Sequence, residues 1–149
     1  MIDVPADGNE RLAALGGACL VGSAFLPWAS IDVFDISTTT NGFTGMGYAV
    51  PVAGFVALGL VTLREWTAFE AKVTAAVGVL ALLLLGVIYT SLENVFAVGY
   101  PAHYVTVSPE PGLYVAALAS VLVAVAGYRG MQAAAATETA TPAGSEPRR

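Results

Sequence analysis

Charged side chains are scarce in this chain of 149 residues. Only 11% of the residues are Asp, Glu, Lys or Arg, whereas 56% are hydrophobic, and a soluble domain usually carries about a quarter charged residues. The mean hydropathy of +0.72 therefore indicates a membrane protein. Six basic residues against eleven acidic ones give a net charge of -5, so a nucleic-acid partner has no basic surface to bind.

Cysteine and histidine are rarer still, and their scarcity excludes several chemistries. A single cysteine, Cys19, excludes an intrachain disulfide, a CxxC pair and a thiolate zinc site. A single histidine, His103, excludes bis-histidine haem ligation. We interpret Cys19 as a small packing residue and His103 as an exposed loop residue, because no nucleophile stands beside it in a motif. The sequence predicts no enzyme, no catalytic residue, no metal site and no cofactor.

Long apolar runs dominate what is present. Four of them lack Asp, Glu, Lys, Arg and His, and each is 17 or 18 residues long. As helices they would measure about 26 to 27 Å, close to the roughly 30 Å hydrocarbon core of a bilayer. We therefore predict an all-α membrane fold, a bundle of four transmembrane helices. The predicted spans are Leu12 to Trp28, Met46 to Leu63, Val73 to Thr90 and Gly112 to Tyr128.

The positions of the basic residues predict the orientation. All six flank the spans on one side, whereas residues 29–45 and 91–111 contain neither Lys nor Arg. The positive-inside rule then places both termini in the cytoplasm and loops one and three outside. The net negative leader and Pro27-Trp28 are unlike a cleavable signal, so we expect the first helix to be retained. Residues 1–11 and 129–149 are polar or low in complexity and are predicted to be disordered cytoplasmic tails.

Aromatic and small residues refine the prediction. Trp28, Tyr48, Tyr89 and Tyr114 fall at the outer ends of spans, as aromatic rings at the headgroup level do. Small residues recur every four positions, which favours close helix packing within the chain or between copies. The rows are Ala14, Ala18 and Gly22; Ala49, Ala53 and Ala57; Thr74, Gly78 and Gly86; and Ala116, Ser120 and Ala124.

The outer loops are predicted to be partly ordered. Ile31 to Thr38 and His103 to Ser108 are rich in β-branched and aromatic residues, which favour strands, so the two segments are predicted to pair as a small extracellular β cap that leans on the helix ends. Four carboxylates also gather in these loops, but their spacing matches no calcium loop, and we expect a solvated acidic surface. They are Asp32, Asp35, Glu93 and Glu110.

Three short motifs carry a resemblance. Leu26-Pro27-Trp28 closes the first span, a Gly/Thr-rich loop covers residues 38–47, and Pro109-Glu110-Pro111-Gly112-Leu113-Tyr114 opens the fourth. Together they resemble small four-span prokaryotic membrane proteins with LPW and PGxGLY-like motifs, found in actinobacteria and haloarchaea. The turn here has one glycine where the family has two. The resemblance implies the four-span topology and supplies no catalytic residues, and the acidic, lysine-poor composition is likewise typical of a haloarchaeal source.

We therefore expect a multi-pass protein of the cell membrane that acts as a structural, accessory or interaction component of the cell envelope. Its expected partners are the lipid bilayer and other membrane proteins or copies of itself. The alternative is a subunit of a small oligomeric channel or transporter, since small-residue rows permit tight oligomers. The four-span multidrug exporters are excluded, because they require a glutamate inside the first helix.

Overall fold

The computed structural model of the protein describes residues 8–33, 36–63, 66–96 and 105–140. These residues are mostly helical and also form a three-stranded sheet. In chain order the elements are α1 Gly8–Ser23, β1 Pro27–Val33, β2 Ile36–Asn41, a 3-10 turn Gly45–Tyr48, α2 Ala49–Leu63, α3 Ala68–Thr90, α4 Leu92–Phe96, β3 Val105–Pro109 and α5 Pro111–Ala140.

Three helices of the described chain are long and apolar enough to cross a membrane. They cover Gly45–Thr62, Ala68–Thr90 and Pro111–Thr137, and they contain the second, third and fourth predicted spans almost entirely. The membrane class predicted from the composition agrees with these helices. The first predicted span is not among them: α1 has 16 residues, about 24 Å of helix, which is short of a roughly 30 Å hydrocarbon core.

The predicted end of the first span is wrong. The span was expected to run to Trp28, but α1 ends at Ser23 and Pro27 and Trp28 begin strand β1. Pro27 disfavours helical backbone at the residue before it. Residues 24–26 instead form turns, in which the Leu26 N–H donates to the Ser23 carbonyl at 3.1 Å.

Two other helices are longer than predicted. α3 begins at Ala68 because the Thr67 side chain caps it, accepting a hydrogen bond from the Phe69 N–H at 3.3 Å. α5 continues to Ala140 and so occupies part of the segment predicted to be a disordered tail. The run of alanine at residues 133–136 explains this extension, since alanine has the highest helix propensity. Residues 1–7 and 141–149 of the predicted tails lie outside the described residues.

Helix α5 packs against both α1 and α3, while α2 contacts α1 and, less extensively, α3. Glycines set the closest approaches. A Cβ atom added to Gly78 of α3 would lie 2.4 Å from the Ala124 nitrogen of α5, and one added to Gly127 of α5 would lie 2.3 Å from the Ala75 nitrogen of α3. The backbones of α3 and α5 therefore touch with no room for side chains, as in other membrane helix pairs.

The predicted rows of small residues are buried in part on α2, α3 and α5, although Gly86 of the α3 row is exposed, and the row predicted on α1 is wrong. Ala57, Thr74, Ala116 and Ser120 are fully buried. On α1, however, Ala18 and Gly22 are exposed. The buried residues of this helix are instead Ala13, Gly16, Gly17, Leu20 and Ser23.

The sheet has the strand order β2-β1-β3, and both pairings are antiparallel. Ile31 of β1 lies opposite Thr38 of β2 on one side and Val107 of β3 on the other. The predicted pairing of loops one and three is thus confirmed. The first loop contributes two strands instead of the single one predicted over Ile31 to Thr38, because β1 ends at Val33 and β2 begins at Ile36.

Candidate functional site

Trp28 joins the sheet to the helices. The sequence predicted an aromatic ring at the lipid headgroups, but Trp28 is 0% exposed, so this prediction is wrong. Its indole Nε1 donates a hydrogen bond to the Ser23 carbonyl at the end of α1, at 2.7 Å. A buried indole needs such a partner, and the Ser23 carbonyl accepts this bond in addition to the one from the Leu26 N–H.

Two glycines make room for the indole ring. A Cβ atom on Gly42 would lie 2.6 Å from Trp28 Cε2, and one on Gly112 would lie 2.6 Å from Trp28 Cδ1. Backbone hydrogen bonds hold both segments in place, from the Gly42 N–H to the Ala24 carbonyl at 3.1 Å and from the Glu110 N–H to the Trp28 carbonyl at 2.9 Å. We call Trp28, Gly42 and Gly112 the tryptophan junction.

The tryptophan junction brings together the three motifs of the resemblance. Trp28 belongs to Leu26-Pro27-Trp28, Gly42 to the Gly/Thr-rich loop, and Gly112 to the turn that opens α5. The meeting of these three segments was not among the sequence predictions. A tryptophan beside a proline, with two glycines in separate turns, was the available signal.

Strand β2 presents a free edge beyond the tryptophan junction. Five of its six residues are exposed, including Ile36 at 74%. It contains no charged residue and no proline, which are the usual protections of an edge strand. The other edge strand, β3, differs because the short helix α4 packs against it. Within the described chain β2 is therefore the open edge of the sheet.

A buried carboxylate lies at the opposite end of the helices. Glu70 is 4% exposed and belongs to Ala68–Thr90, a helix apolar enough to span a membrane. Glu70 lies in the first turn of α3, three residues before the span predicted from Val73. Its Oε2 accepts a hydrogen bond from the Thr67 hydroxyl. Thr67 and Glu70 have the spacing of a capping box, and that spacing was the overlooked signal.

Two buried hydroxyls lie farther along α3 and α5. Ser120 donates to the Ala116 carbonyl of its own helix at 2.8 Å. Thr74, one turn beyond Glu70, is 0% exposed and its Oγ1 has no hydrogen-bond partner. A buried hydroxyl without a partner costs free energy, so Thr74 is a weak point of the α3–α5 contact.

The other residues singled out from the sequence are dispersed. Cys19 is half-buried and packs against the main hydrophobic cluster, as predicted. Asp32 and Glu110 are half-buried and Glu93 is exposed, while Asp35 and His103 lie outside the described residues. Over the part of the chain that the structure describes, no three His, Cys, Asp or Glu residues come together as metal ligands.

The described basic residues share one end of the molecule. Leu12, which follows Arg11, packs with Trp66, Val61 and Ala126 in a small hydrophobic cluster. Gly130, which follows Arg129, lies against Trp66 and Ala71, because a Cβ atom on Gly130 would meet both side chains. Ala71 in turn precedes Lys72. Arg11, Lys72 and Arg129 therefore lie at the end remote from the sheet, where the charge pattern predicts the cytoplasm.

Comparison of the chain with protein-family models, with curated proteins and with solved structures gave no match.

Proposed function

We propose that this protein is a four-pass cell-membrane protein with both termini in the cytoplasm, and that it is a non-enzymatic structural or accessory component of the cell envelope. In this proposal α1, α2, α3 and α5 form the four-helix bundle. The resemblance to four-span membrane proteins with LPW and PGxGLY-like motifs is part of the same proposal. Outside the membrane the sheet binds a partner protein.

The open edge of β2 is the observation that carries the proposal. An unprotected strand edge has unpaired backbone N–H and C=O groups, and such an edge readily accepts an added strand. The tryptophan junction anchors the sheet to α1 and α5, so a partner strand added to β2 is held at a fixed position above the membrane. The expected partner is an extended segment of an envelope protein.

A lysine on β2 tests the proposed partner site. Thr39 is exposed on β2 and Thr106 is exposed on β3, so Thr39→Lys protects the open edge while Thr106→Lys is the matched control. Membranes of the native host, solubilised in mild detergent, are expected to yield a co-purifying protein with the wild type and with Thr106→Lys. Thr39→Lys is expected to lose it. Equal recovery with both variants, or no co-purifying protein at all, contradicts the proposal.

The orientation is tested by cysteine labelling. Cys19→Ser removes the only thiol, and single cysteines are then introduced at Thr39 in β2 and at exposed Gln132 in α5. In intact cells a membrane-impermeant maleimide is expected to label Thr39→Cys but not Gln132→Cys. The reverse pattern, or equal labelling of both in sealed cells, contradicts the proposed topology.

A subunit of a small oligomeric channel or transporter is the second candidate function, and buried Glu70 favours it. Ionisable residues inside membrane helices commonly mark ion or substrate paths. Proteoliposomes are the test: flux of protons or cations above that of protein-free liposomes, lost in Glu70→Gln, supports this candidate. Flux equal to the background, or unchanged by Glu70→Gln, eliminates it and leaves Glu70 as a capping residue of α3.

A further inference from the structure

An apolar cavity opens between α3 and α5 at the end of the helices that bears the sheet. Its volume is about 330 Å³, and Leu82, Gly86, Tyr89, Leu113 and Tyr114 are among the lining residues. A Cβ atom added to Gly86 would meet nothing within 4 Å. The cavity is therefore wider because Gly86 has no side chain. Contact between the helices does not require a glycine at this position.

A second cavity, of about 360 Å³, adjoins the first at Tyr89. The second cavity is lined by Tyr89 and Thr90 at the end of α3, by Val107 of β3, and by residues that follow α3, among them Ser91, Glu93 and Asn94. The side chains of Ser91, Glu93 and Asn94 supply a hydroxyl, a carboxylate and an amide, respectively. We call these two neighbouring cavities, the first apolar and the second polar, the groove.

The charges of the polar cavity select its occupant. Glu93 is exposed and provides a carboxylate, while none of the described residues that line the two cavities is Lys or Arg. A purely anionic headgroup would find no counter-ion there and would be repelled by Glu93. An ammonium group with N–H donors matches the carboxylate, because charge-assisted hydrogen bonds are the strongest available at such a site.

We propose that this groove binds a membrane phospholipid with a primary-amine headgroup. One acyl chain occupies the apolar cavity between α3 and α5, and the ammonium group donates hydrogen bonds to Glu93. The Ser91 hydroxyl and the Asn94 amide donate to the phosphate oxygens. The site is separate from the open edge of β2, so the lipid and a partner protein bind independently.

Native mass spectrometry of the purified full-length protein in dodecyl maltoside tests the proposal. The probes are short-chain phosphatidylethanolamine, phosphatidylcholine and phosphatidylglycerol, each titrated to give a dissociation constant for the first bound lipid. Phosphatidylethanolamine is expected to bind about threefold more tightly than the other two, since an ion pair with an exposed carboxylate contributes roughly that factor. Equal binding of the three lipids, or preference for either of the others, overturns the proposal.

Two variants with matched controls locate the site. Gly86→Leu fills the apolar cavity, and Gly59→Leu is its control because Gly59 also has nothing within 4 Å and lies on α2. Glu93→Gln removes the carboxylate, and Glu110→Gln is its control because Glu110 lines neither cavity.

Gly86→Leu is expected to weaken binding of all three lipids, whereas Glu93→Gln removes the preference for phosphatidylethanolamine. Both controls are expected to bind like the wild type. An unchanged preference in Glu93→Gln overturns the amine recognition, and this variant changes an exposed residue, so its result does not depend on refolding of the helices.

Discussion

Helix α3 packs closely against α5 and loosely against α2. Against α5 the backbones meet directly at Gly78 and Gly127. Against α2 the helices leave a cavity of about 260 Å³ that is lined partly by Ala53 and Ala81. Both contacts contain small residues, so a small side chain by itself does not bring two helices together. Close approach requires a glycine that faces the backbone of its partner.

The largest expected effect comes from filling the close contact. Gly127→Leu forces a side chain against the Ala75 backbone, and we expect a loss of about 3 kcal/mol in the free energy of unfolding. The measurement is circular dichroism of the protein in mixed micelles titrated with sodium dodecyl sulfate. Gly59→Leu, where nothing lies within 4 Å, is expected to change the free energy by less than about 0.5 kcal/mol. Equal losses in the two variants would show that α3 and α5 are not in backbone contact.

Removing the unpartnered hydroxyl of Thr74 tests the contact between α3 and α5 in a second way. Thr74→Val keeps the shape of the side chain and is expected to stabilise the protein by about 1 kcal/mol in the same titration, because it eliminates a buried group without a hydrogen bond. Ser120→Ala is the control, since the Ser120 hydroxyl already donates to the Ala116 carbonyl. A destabilised Thr74→Val protein would mean that the hydroxyl has a hydrogen-bond partner in the membrane.

The open contact is expected to respond in the opposite sense to the close one. Ala53→Leu adds a side chain to the cavity between α2 and α3 and is expected to stabilise the protein by about 0.5 to 1 kcal/mol. Ala57→Leu, one turn along α2 at a fully buried position, is expected to destabilise it. A loss of stability in both variants would show that α2 and α3 pack without a cavity.

The smallest effect is expected where a glycine contacts nothing. Gly59→Ala replaces a residue inside α2 and is expected to stabilise the helix by about 0.5 kcal/mol through its higher helix propensity. Thermal unfolding in the same detergent measures this change against Gly78→Ala, which is expected to destabilise the protein. If both substitutions stabilise, the distinction between the two kinds of glycine fails.

Three helices and the pairing of the outer loops could be predicted because each has a signal in one short segment. Long uncharged runs identify membrane helices, and β-branched residues in Ile31 to Thr38 and His103 to Ser108 favour strands. Which face of α1 is buried could not be predicted. A membrane helix has apolar neighbours on every side, whether lipid or protein. The predicted row Ala14, Ala18 and Gly22 is therefore as small and apolar as the face that is buried in the structure.

The features of the candidate site were harder to predict, because they depend on residues distant in the sequence. Trp28 resembles an interfacial anchor until Gly42 and Gly112 are brought beside it. Glu70 lies three residues after Thr67, whose side chain caps α3, and α3 begins five residues before the uncharged run that starts at Val73. The groove ending at Glu93 requires α3, α5 and β3 in one place.

The burial of Trp28 gives the protein an intrinsic optical reporter. The chain has two tryptophans. Half-buried Trp66 lies at the end remote from the sheet, and Trp66→Phe leaves Trp28 as the single tryptophan, which is excited selectively at the red edge of its absorption. The fluorescence maximum of Trp28 is then at short wavelength while the sheet packs on the helices. The maximum shifts to longer wavelength when water reaches the ring. Detachment of the sheet can thus be followed in real time without an added label.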